Sequence, residues 1–137
     1  MKPRKIALIG NPNSGKTSLF NALTGLNQKV GNFPGVTVDR KLGVLDLGKG
    51  QRAVLIDLPG TYSLYPQSED ERIACEVLRD ASQPDHPDLV VVVADGTQLR
   101  RSLLLCTQII DLGLPVVLAV NMADLMEKQQ SRLDTDR

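Results

Sequence analysis

The chain has 137 residues, enough for one domain with a hydrophobic core, and 42% of its residues are hydrophobic. Lys and Arg together number 16 and so do Asp and Glu, so the net charge of zero gives no electrostatic case for nucleic acid or an anionic membrane as a partner. There is no signal peptide and no apolar run of transmembrane length, so we expect this stretch of chain to be soluble and cytoplasmic.

The first predicted strand, residues 5–10, leads directly into a glycine-rich motif, and a helix is predicted over residues 16–24. The motif matches G-x-x-x-x-G-K-[ST], a phosphate-binding loop in which backbone amides at a helix N-terminus attract phosphate oxygens. Lys16 adds a positive charge for the β- and γ-phosphates, and the hydroxyl of Thr17 suits a magnesium ion. The predicted phosphate-binding residues of this motif are Gly10, Asn11, Pro12, Asn13, Ser14, Gly15, Lys16, Thr17 and Ser18.

Residues 25–40 follow as a predicted long, mobile loop, and loops of this length are usually functional or disordered. Within it, Gly35 is a candidate phosphate contact, and Thr37 has two open interpretations. In the first interpretation, the Thr37 hydroxyl closes over a γ-phosphate and completes a magnesium shell. In the second, Thr37 faces solvent at the entrance to a strand. Composition does not separate these two interpretations.

The next predicted elements are a strand at or near the sheet edge, residues 41–47, and a buried strand, residues 52–57, joined as a hairpin. The second strand ends in Asp57, which opens a D-x-x-G motif that closes at Gly60. Open α/β sheets bind ligands at this end of their strands. Because a phosphate loop precedes the motif, we expect Asp57 to hold magnesium and the Gly60 amide to contact a γ-phosphate, rather than an ordinary Pro-Gly turn.

The rest of the chain alternates helices with strands. After an irregular stretch, a capping box formed by Ser68 and Glu71 predicts the start of a second helix. A central strand over 89–94, a helix over 98–112 and a further central strand over 116–120 follow. The residues predicted to face inward are Ile73, Val77 and Leu78 in the first of these helices, and Leu99, Leu103, Cys106 and Ile110 in the second.

These elements predict an α/β fold, a three-layer sandwich with a mostly parallel sheet and one antiparallel strand from an edge hairpin.

Cys75 and Cys106 are expected to be small buried hydrophobes, and His86 is expected to be a loop residue. From Leu125 onward the chain is polar and completes no further strand. We therefore expect residues 1–137 to form a domain that lacks its C-terminal part.

A third motif follows the last predicted strand. Asp124 can accept two hydrogen bonds from guanine N1 and N2, and adenine offers no such pair of donors. Asn121 can bond the base and tie this segment to the phosphate loop, and Met122 replaces the usual lysine, whose stem would cover the base. Alone, the motif suits a helix cap, but behind two phosphate motifs it predicts guanine recognition.

In this order the motifs resemble those of small GTPases with a Ras-like P-loop fold. The amino-acid sequence is similar to that of the N-terminal G domain of the ferrous iron transport protein B family over residues 10–21, 30–38, 57–64 and 68–71. The resemblance implies GTP and GDP as ligands and Mg²⁺ as cofactor, and it implies roles in the switches for Thr37 and Gly60. It assigns magnesium to Thr17, Thr37 and Asp57, and catalysis to Lys16, Asn13, Thr37 and Gly60.

The resemblance also implies a potassium ion, held by Asn13 and by backbone carbonyls around Gly31 and Asn32, where other GTPases receive an arginine finger. It implies further partners in the same protein, namely a helical domain and a membrane domain that carries the iron and through which the protein could form oligomers. The domain would then lie at the cytoplasmic face of the bacterial inner membrane. No nucleic-acid partner is expected.

Thr61 stands where Ras-like enzymes carry a water-orienting glutamine, so we expect slow GTP hydrolysis driven by positioning and charge neutralisation. One alternative is a soluble Era-like GTPase that acts in the maturation of ribosomal or transfer RNA. An ATP-using P-loop protein is disfavoured by Asn121 and Asp124. A phosphate-loop fold without activity is the remaining alternative.

Overall fold

The computed structural model describes residues 4–11, 14–25, 28–33 and 35–121. Helices and strands alternate along this part of the chain, with a short 3₁₀ turn over Gly96–Gln98 before the last helix. The strands are β1 (Arg4–Gly10), β2 (Gln28–Asn32), β3 (Asp39–Gly48), β4 (Gln51–Asp57), β5 (Leu89–Asp95) and β6 (Val116–Asn121), and the helices are α1 (Lys16–Thr24), α2 (Glu69–Arg79) and α3 (Leu99–Asp111).

The strands form one sheet in the order β2-β3-β4-β1-β5-β6. β1 pairs in parallel with β4 and β5, and β5 pairs in parallel with β6. β3 pairs antiparallel with both β2 and β4, so among the described strands it alone runs against the others. The predicted α/β fold with a mostly parallel sheet and one antiparallel strand is therefore confirmed.

The antiparallel end of the sheet differs from the prediction in one respect. The loop predicted over residues 25–40 is wrong for residues 28–32, which form β2, and β3 begins at Asp39. β2 is the outermost strand on this side, so β3 lies second from the edge. The sequence pattern missed β2 because its residues are mostly polar and exposed, so that backbone pairing with β3 defines the strand and apolar alternation does not.

Apolar side chains cover both faces of the sheet. On one face, α2 and α3 pack against the sheet and enclose the larger cluster, which includes Ile56, Leu78 and Leu105. On the other face, Phe20 of α1 packs against Leu8. The predicted inward residues Ile73, Val77 and Leu78 of α2 are all buried, and the hydroxyl of Ser68 accepts a hydrogen bond from the Glu71 amide at 3.2 Å, as the capping box predicts.

The predicted orientation of α3 is only partly correct. Leu103 is 42% exposed and Ile110 is 53% exposed, although both were expected to face inward, whereas Cys106 is buried as expected. The buried residues of this helix are Ser102, Leu105, Cys106 and Ile109. Leucines occupy three consecutive positions here, so hydrophobicity alone does not fix which face points inward. Hydrogen bonds to the Ser102 hydroxyl bring this polar residue inside.

Three smaller expectations also have outcomes. Cys75 and Cys106 are free and buried, and burial raises the pKa of both thiols, so they are poor nucleophiles. His86 lies in the segment between α2 and β5, as predicted. β6 was expected to be central, but it is the outermost strand on its side of the described sheet.

No helix in the part of the chain that is described has the length and apolar character needed to cross a bilayer.

Gly43 of β3 provides a test of how closely α1 packs on the sheet. A Cβ at this position would overlap Cγ2 of Thr24 and lie 2.7 Å from its Cβ. We expect Gly43→Ala to lower the free energy of unfolding by about 2 kcal/mol because α1 must move away from the sheet. Urea denaturation measures this change. Gly31→Ala is the control, since a Cβ on Gly31 meets nothing within 4 Å; equal losses in both variants would contradict the close packing.

Candidate nucleotide-binding site

The predicted motifs meet at one edge of the sheet because they follow parallel strands. β1 ends at Gly10, β4 ends at Asp57 and β6 ends at Asn121. The parallel registers align Leu8 with Asp57 and Gly10 with Val93, and they continue across β5 to β6. Carboxyl ends of parallel strands form the ligand-binding edge of open α/β sheets.

The phosphate loop leaves β1 through a space that only glycine fits. A Cβ on Gly10 would lie 2.6 Å from the Val93 carbonyl oxygen and 2.9 Å from the Ser14 hydroxyl oxygen. Gly15, at the N-cap of α1, has a φ of +85°, in the left-handed region that favours glycine. The amides at a helix N-terminus favour an anion, and the first turn of α1 contains no acidic residue that would compete for them.

Partly buried Lys16 and buried Asp57 form an ion pair between Nζ and Oδ1. Lys16 opens α1 and Asp57 closes β4, so the pair joins the phosphate loop to the D-x-x-G segment. These are the two charges that the sequence assigns to phosphate and to magnesium. Here each charge has an opposite partner, which offsets part of the cost of taking it out of water.

A cavity of about 280 Å³ lies beside this ion pair. Thr37 lines it together with Lys16 and Asp57, and the first two residues of α2 also line it. Thr37 is solvent-exposed where it lines this cavity, just before β3, so its position is compatible with both the γ-phosphate and the solvent-facing interpretation. The residues that line the cavity are Lys16, Thr37, Val38, Asp39, Lys41, Asp57, Leu58, Pro59, Glu69 and Asp70.

The segment that carries Gly35 and Thr37 is held at its base. The amide of buried Phe33 donates to the carbonyl of buried Val38 at 3.0 Å, and the Val36 amide donates back to Phe33 at 3.3 Å. Gly35 adopts a φ of +78° within this turn. Thr37 therefore lies at the cavity, while Phe33 and Val38, at the two ends of the turn, pack in the core.

The D-x-x-G segment is attached to β1 by its backbone. The Leu58 amide donates to the Leu8 carbonyl at 3.0 Å, and the Thr61 amide donates to the Gly10 carbonyl at 2.9 Å. Gly60 lies between these two attachment points. The two predicted phosphate motifs are thus joined directly, and their relative position is fixed by hydrogen bonds.

Other predicted site residues lie elsewhere or outside the described residues. Gly31 and Asn32, predicted as loop residues, lie in β2 opposite Arg40 and Asp39. Asn121 is the last residue of β6, where its backbone pairs with Asp95. The predicted residues outside the described part are Pro12, Asn13, Met122 and Asp124. Among the residues described, no group of three or more His, Cys, Asp or Glu side chains could hold a metal ion.

Ser102 is a buried contact of the phosphate loop that sequence reasoning missed. Its hydroxyl oxygen accepts hydrogen bonds from Nδ2 of Asn11 at 3.3 Å and from the Asp95 amide at 3.2 Å. It thereby connects α3 and the end of β5 to the loop. A serine among leucines was the only signal in the sequence, and it did not identify the partner.

An ion pair between Arg40 and Asp85 was also missed. The Arg40 Nε atom lies 2.5 Å from Oδ2 of Asp85, and Nη2 lies 2.6 Å from Oδ1. The hydrogen bond to Asp85 raises the pKa of Arg40, although burial of the guanidinium opposes the rise. The pair connects the start of β3, just after Thr37, to the segment that follows α2.

The family model of ferrous iron transport protein B matches residues 4–137. The chain belongs to the ferrous iron transport protein B family. It is 49% identical over 140 residues to the Fe(2+) transporter FeoB of Salmonella typhimurium strain LT2 and 48% identical to that of Escherichia coli strain K12. Each comparison covers 99% of this chain and 18% of the relative, so the chain spans less than a fifth of the length of these curated proteins.

Solved structures of FeoB domains share the fold. The G domain of the T. maritima FeoB iron transporter matches with a TM-score of 0.84 and 48% identity, over 93% of this chain and 77% of that one. A mutant S. thermophilus NFeoB bound to mGDP matches with a TM-score of 0.87 and 46% identity, over 98% of this chain and 50% of that one. The P-loop GTPase fold is confirmed, and the comparisons support the FeoB family over the Era-like alternative.

The Arg40–Asp85 pair predicts a measurable coupling between the start of β3 and the segment that follows α2. We expect Arg40→Gln and Asp85→Asn each to lower the free energy of unfolding, and their double-mutant cycle to give a coupling of about 1–2 kcal/mol, since both charges are hydrogen-bonded and Asp85 is buried. Urea denaturation provides the four values. The exposed pair of Arg72 and Glu76 is the control, with an expected coupling below about 0.5 kcal/mol. Equal couplings would show that the buried pair has no special role.

Proposed function

We propose that this chain is the GTP-binding and GTP-hydrolysing switch domain of a bacterial ferrous iron transporter. The observation that carries the proposal is the meeting of Lys16, Thr37 and Asp57 at one cavity, at the carboxyl ends of the strands. Family membership supports it, and a relative of this fold has been solved bound to mGDP.

The phosphates would lie against the N-terminus of α1. Backbone amides of residues 13–17 and the Lys16 ammonium would supply the positive field, and Gly35, Thr37 and Gly60 would approach from the two switch segments. Lys16 must exchange its ion pair with Asp57 for contact with phosphate oxygens. Asp57 then becomes available to a cation, so both charges keep an opposite partner.

Magnesium suits the oxygen donors that the sequence assigns to it. Thr17 and Thr37 offer hydroxyl oxygens and Asp57 offers a carboxylate, the hard ligands that Mg²⁺ prefers. Thr37 and Asp57 line the same cavity, which supports their joint use. When bound, the ion would neutralise charge on the β- and γ-phosphates.

The base would be read by Asn121, Met122 and Asp124. A carboxylate at position 124 accepts from both guanine N1 and N2, and an adenine ring would leave that carboxylate without its two donors. Asn121 ends β6 beside β5, on the edge of the sheet that also carries the phosphate loop. This position supports a base pocket adjacent to the phosphate site.

Hydrolysis would be slow because no side chain of the D-x-x-G segment is placed to orient water. Thr61, at the position of the glutamine in Ras-like enzymes, is 0% exposed and does not line the cavity. The remaining contributors are Lys16, the Gly60 amide and Thr37, together with Asn13 through a potassium ion. Rate enhancement would then come from positioning and charge neutralisation.

The role in iron uptake rests on the family. The curated relatives are named as Fe(2+) transporters and are much longer than this chain, which leaves room for the helical and membrane domains that the resemblance implies. GTP turnover in this domain would regulate Fe(II) movement through the membrane domain. The domain would lie at the cytoplasmic face of the inner membrane, and oligomers would form through the membrane domain.

Base recognition predicts a clear preference in nucleotide displacement. We expect unlabelled GDP to displace a fluorescent guanine nucleotide from the chain in the presence of magnesium, with ADP at least about 100-fold weaker. Asp124→Asn should weaken the binding of GDP by a similar factor. It should strengthen the binding of xanthosine diphosphate, because the amide can donate to the carbonyl at C2 of xanthine.

Asp111→Asn is the matched control, since Asp111 lies exposed at the end of α3, and it should leave both affinities unchanged. Equal displacement by GDP and ADP would contradict guanine recognition and leave only a general phosphate site.

The potassium proposal predicts a salt-specific rate. We expect the unmodified chain to hydrolyse GTP about tenfold faster in potassium chloride than in sodium chloride, because a bound cation offsets charge that develops on the phosphates. Asn13→Ala should remove the difference, and Asn21→Ala, on the exposed side of α1, should keep it. A rate that is the same in both salts for the unmodified chain, or a difference that survives in Asn13→Ala, would exclude a potassium ion held by Asn13.

A further inference from the structure

The side chain of Thr61 is buried inside the protein. Its hydroxyl lies 2.7 Å from the Ser63 carbonyl oxygen and 2.8 Å from Oε2 of Glu71, and its oxygen accepts from the Ser63 amide at 3.3 Å. A charged acceptor makes the stronger hydrogen bond, so Glu71 is the principal partner. The threonine therefore contacts the first turn of α2.

The backbone of the same residue is attached to the phosphate loop through the 2.9 Å hydrogen bond from its amide to Gly10. Thr61 is thus fixed from two sides, by β1 through its backbone and by α2 through its hydroxyl. Gly60 precedes it directly, and a glycine without such neighbours would have wide conformational freedom. The fixed position of Thr61 limits where the Gly60 amide can point.

Glu71 is itself held on its far side. Its Oε1 accepts from the Gln67 amide at 3.2 Å and lies 3.3 Å from the Ser68 hydroxyl. One carboxylate oxygen therefore contacts the start of α2, and the other contacts Thr61. This arrangement ties the orientation of α2 to the position of the D-x-x-G segment through a single, half-buried side chain.

We propose that Glu71 is a positioning residue for GTP hydrolysis, which acts through the Thr61 hydroxyl to hold the Gly60 amide where it donates to the γ-phosphate. This inference rests on the proposed function. A threonine at the position of the Ras glutamine then has a defined role, since it anchors the switch segment and does not orient water. Loss of the anchor should affect the reacting state more than nucleotide affinity, because the γ-phosphate contact is one of many in the bound state.

The simpler role for Glu71 is that of a capping residue for α2. The two roles differ in their dependence on Thr61. A capping role requires Ser68 and Gln67 and is indifferent to the Thr61 hydroxyl. A positioning role requires the hydroxyl and tolerates loss of the Ser68 cap.

The test uses the full chain with GTP and magnesium, and it measures kcat, KM and GDP affinity. Thr61→Val keeps the shape of the side chain and removes the hydroxyl, and Thr61→Ser restores it. We expect Thr61→Val and Glu71→Ala each to lower kcat about tenfold, with KM and GDP affinity within about twofold. The double variant should be no slower than either single variant, and Thr61→Ser should recover most of the rate.

Ser68→Ala is the matched control for capping. It should lower the denaturant midpoint and leave kcat unchanged, because the contact between Glu71 and Thr61 remains. An unchanged kcat in folded Thr61→Val, or losses that multiply in the double variant, would overturn the proposal. If Thr61→Val does not fold, Glu71→Ala and Glu71→Gln provide the test. A lower kcat in Glu71→Ala with an unchanged kcat in Glu71→Gln supports the anchor. An unchanged kcat in both variants overturns it.

Failure of this inference is separate from failure of the proposed function. An unmodified chain that neither binds GDP nor hydrolyses GTP would contradict the function. An unmodified chain that does both, with Thr61→Val equally fast, would contradict the anchor alone.

Discussion

Gly10 is where three parts of the site come together, and its lack of a side chain is what lets them meet. Its Cα lies against the Val93 carbonyl and Ser14, and its own carbonyl accepts the Thr61 amide. The next residue, Asn11, reaches Ser102 on α3. A methyl group here would meet the Val93 carbonyl of β5 and the Ser14 hydroxyl of the phosphate loop, so β1, β5 and the loop could not approach as closely.

Local chemistry explains why some features were predictable from the sequence. The phosphate loop, the D-x-x-G segment and the Ser68 cap depend on residues a few positions apart, so spacing alone defines them. β2 was missed because polar, exposed residues form it, and α3 was misoriented because leucines occur on several of its faces. The Arg40–Asp85 pair joins residues 45 positions apart, and only the folded sheet brings them together. The predicted roles of Asn13 and Asp124 stay predictions.

Charge is distributed in the site so that few groups are buried alone. Lys16 faces Asp57, Arg40 faces Asp85, and Glu71 is surrounded by hydrogen-bond donors. An ionised side chain without a partner in such a setting would be strongly unfavourable. In the proposed function, a ligand that takes Lys16 away from Asp57 leaves a carboxylate that favours a cation, so anion and cation binding would be linked.

Among the described strands, β2 lies at one edge of the sheet and pairs with β3 alone. Val30 in its centre is 68% exposed, so separating β2 from β3 would expose little further apolar surface and would cost chiefly backbone hydrogen bonds. Such an edge belongs to the low end of the range of local opening free energies. Its amide protons should exchange with solvent well before those of β1 and β5. The strand that precedes Thr37 is therefore one of the two described edge strands, and it can open locally at lower cost than the central strands β1 and β5.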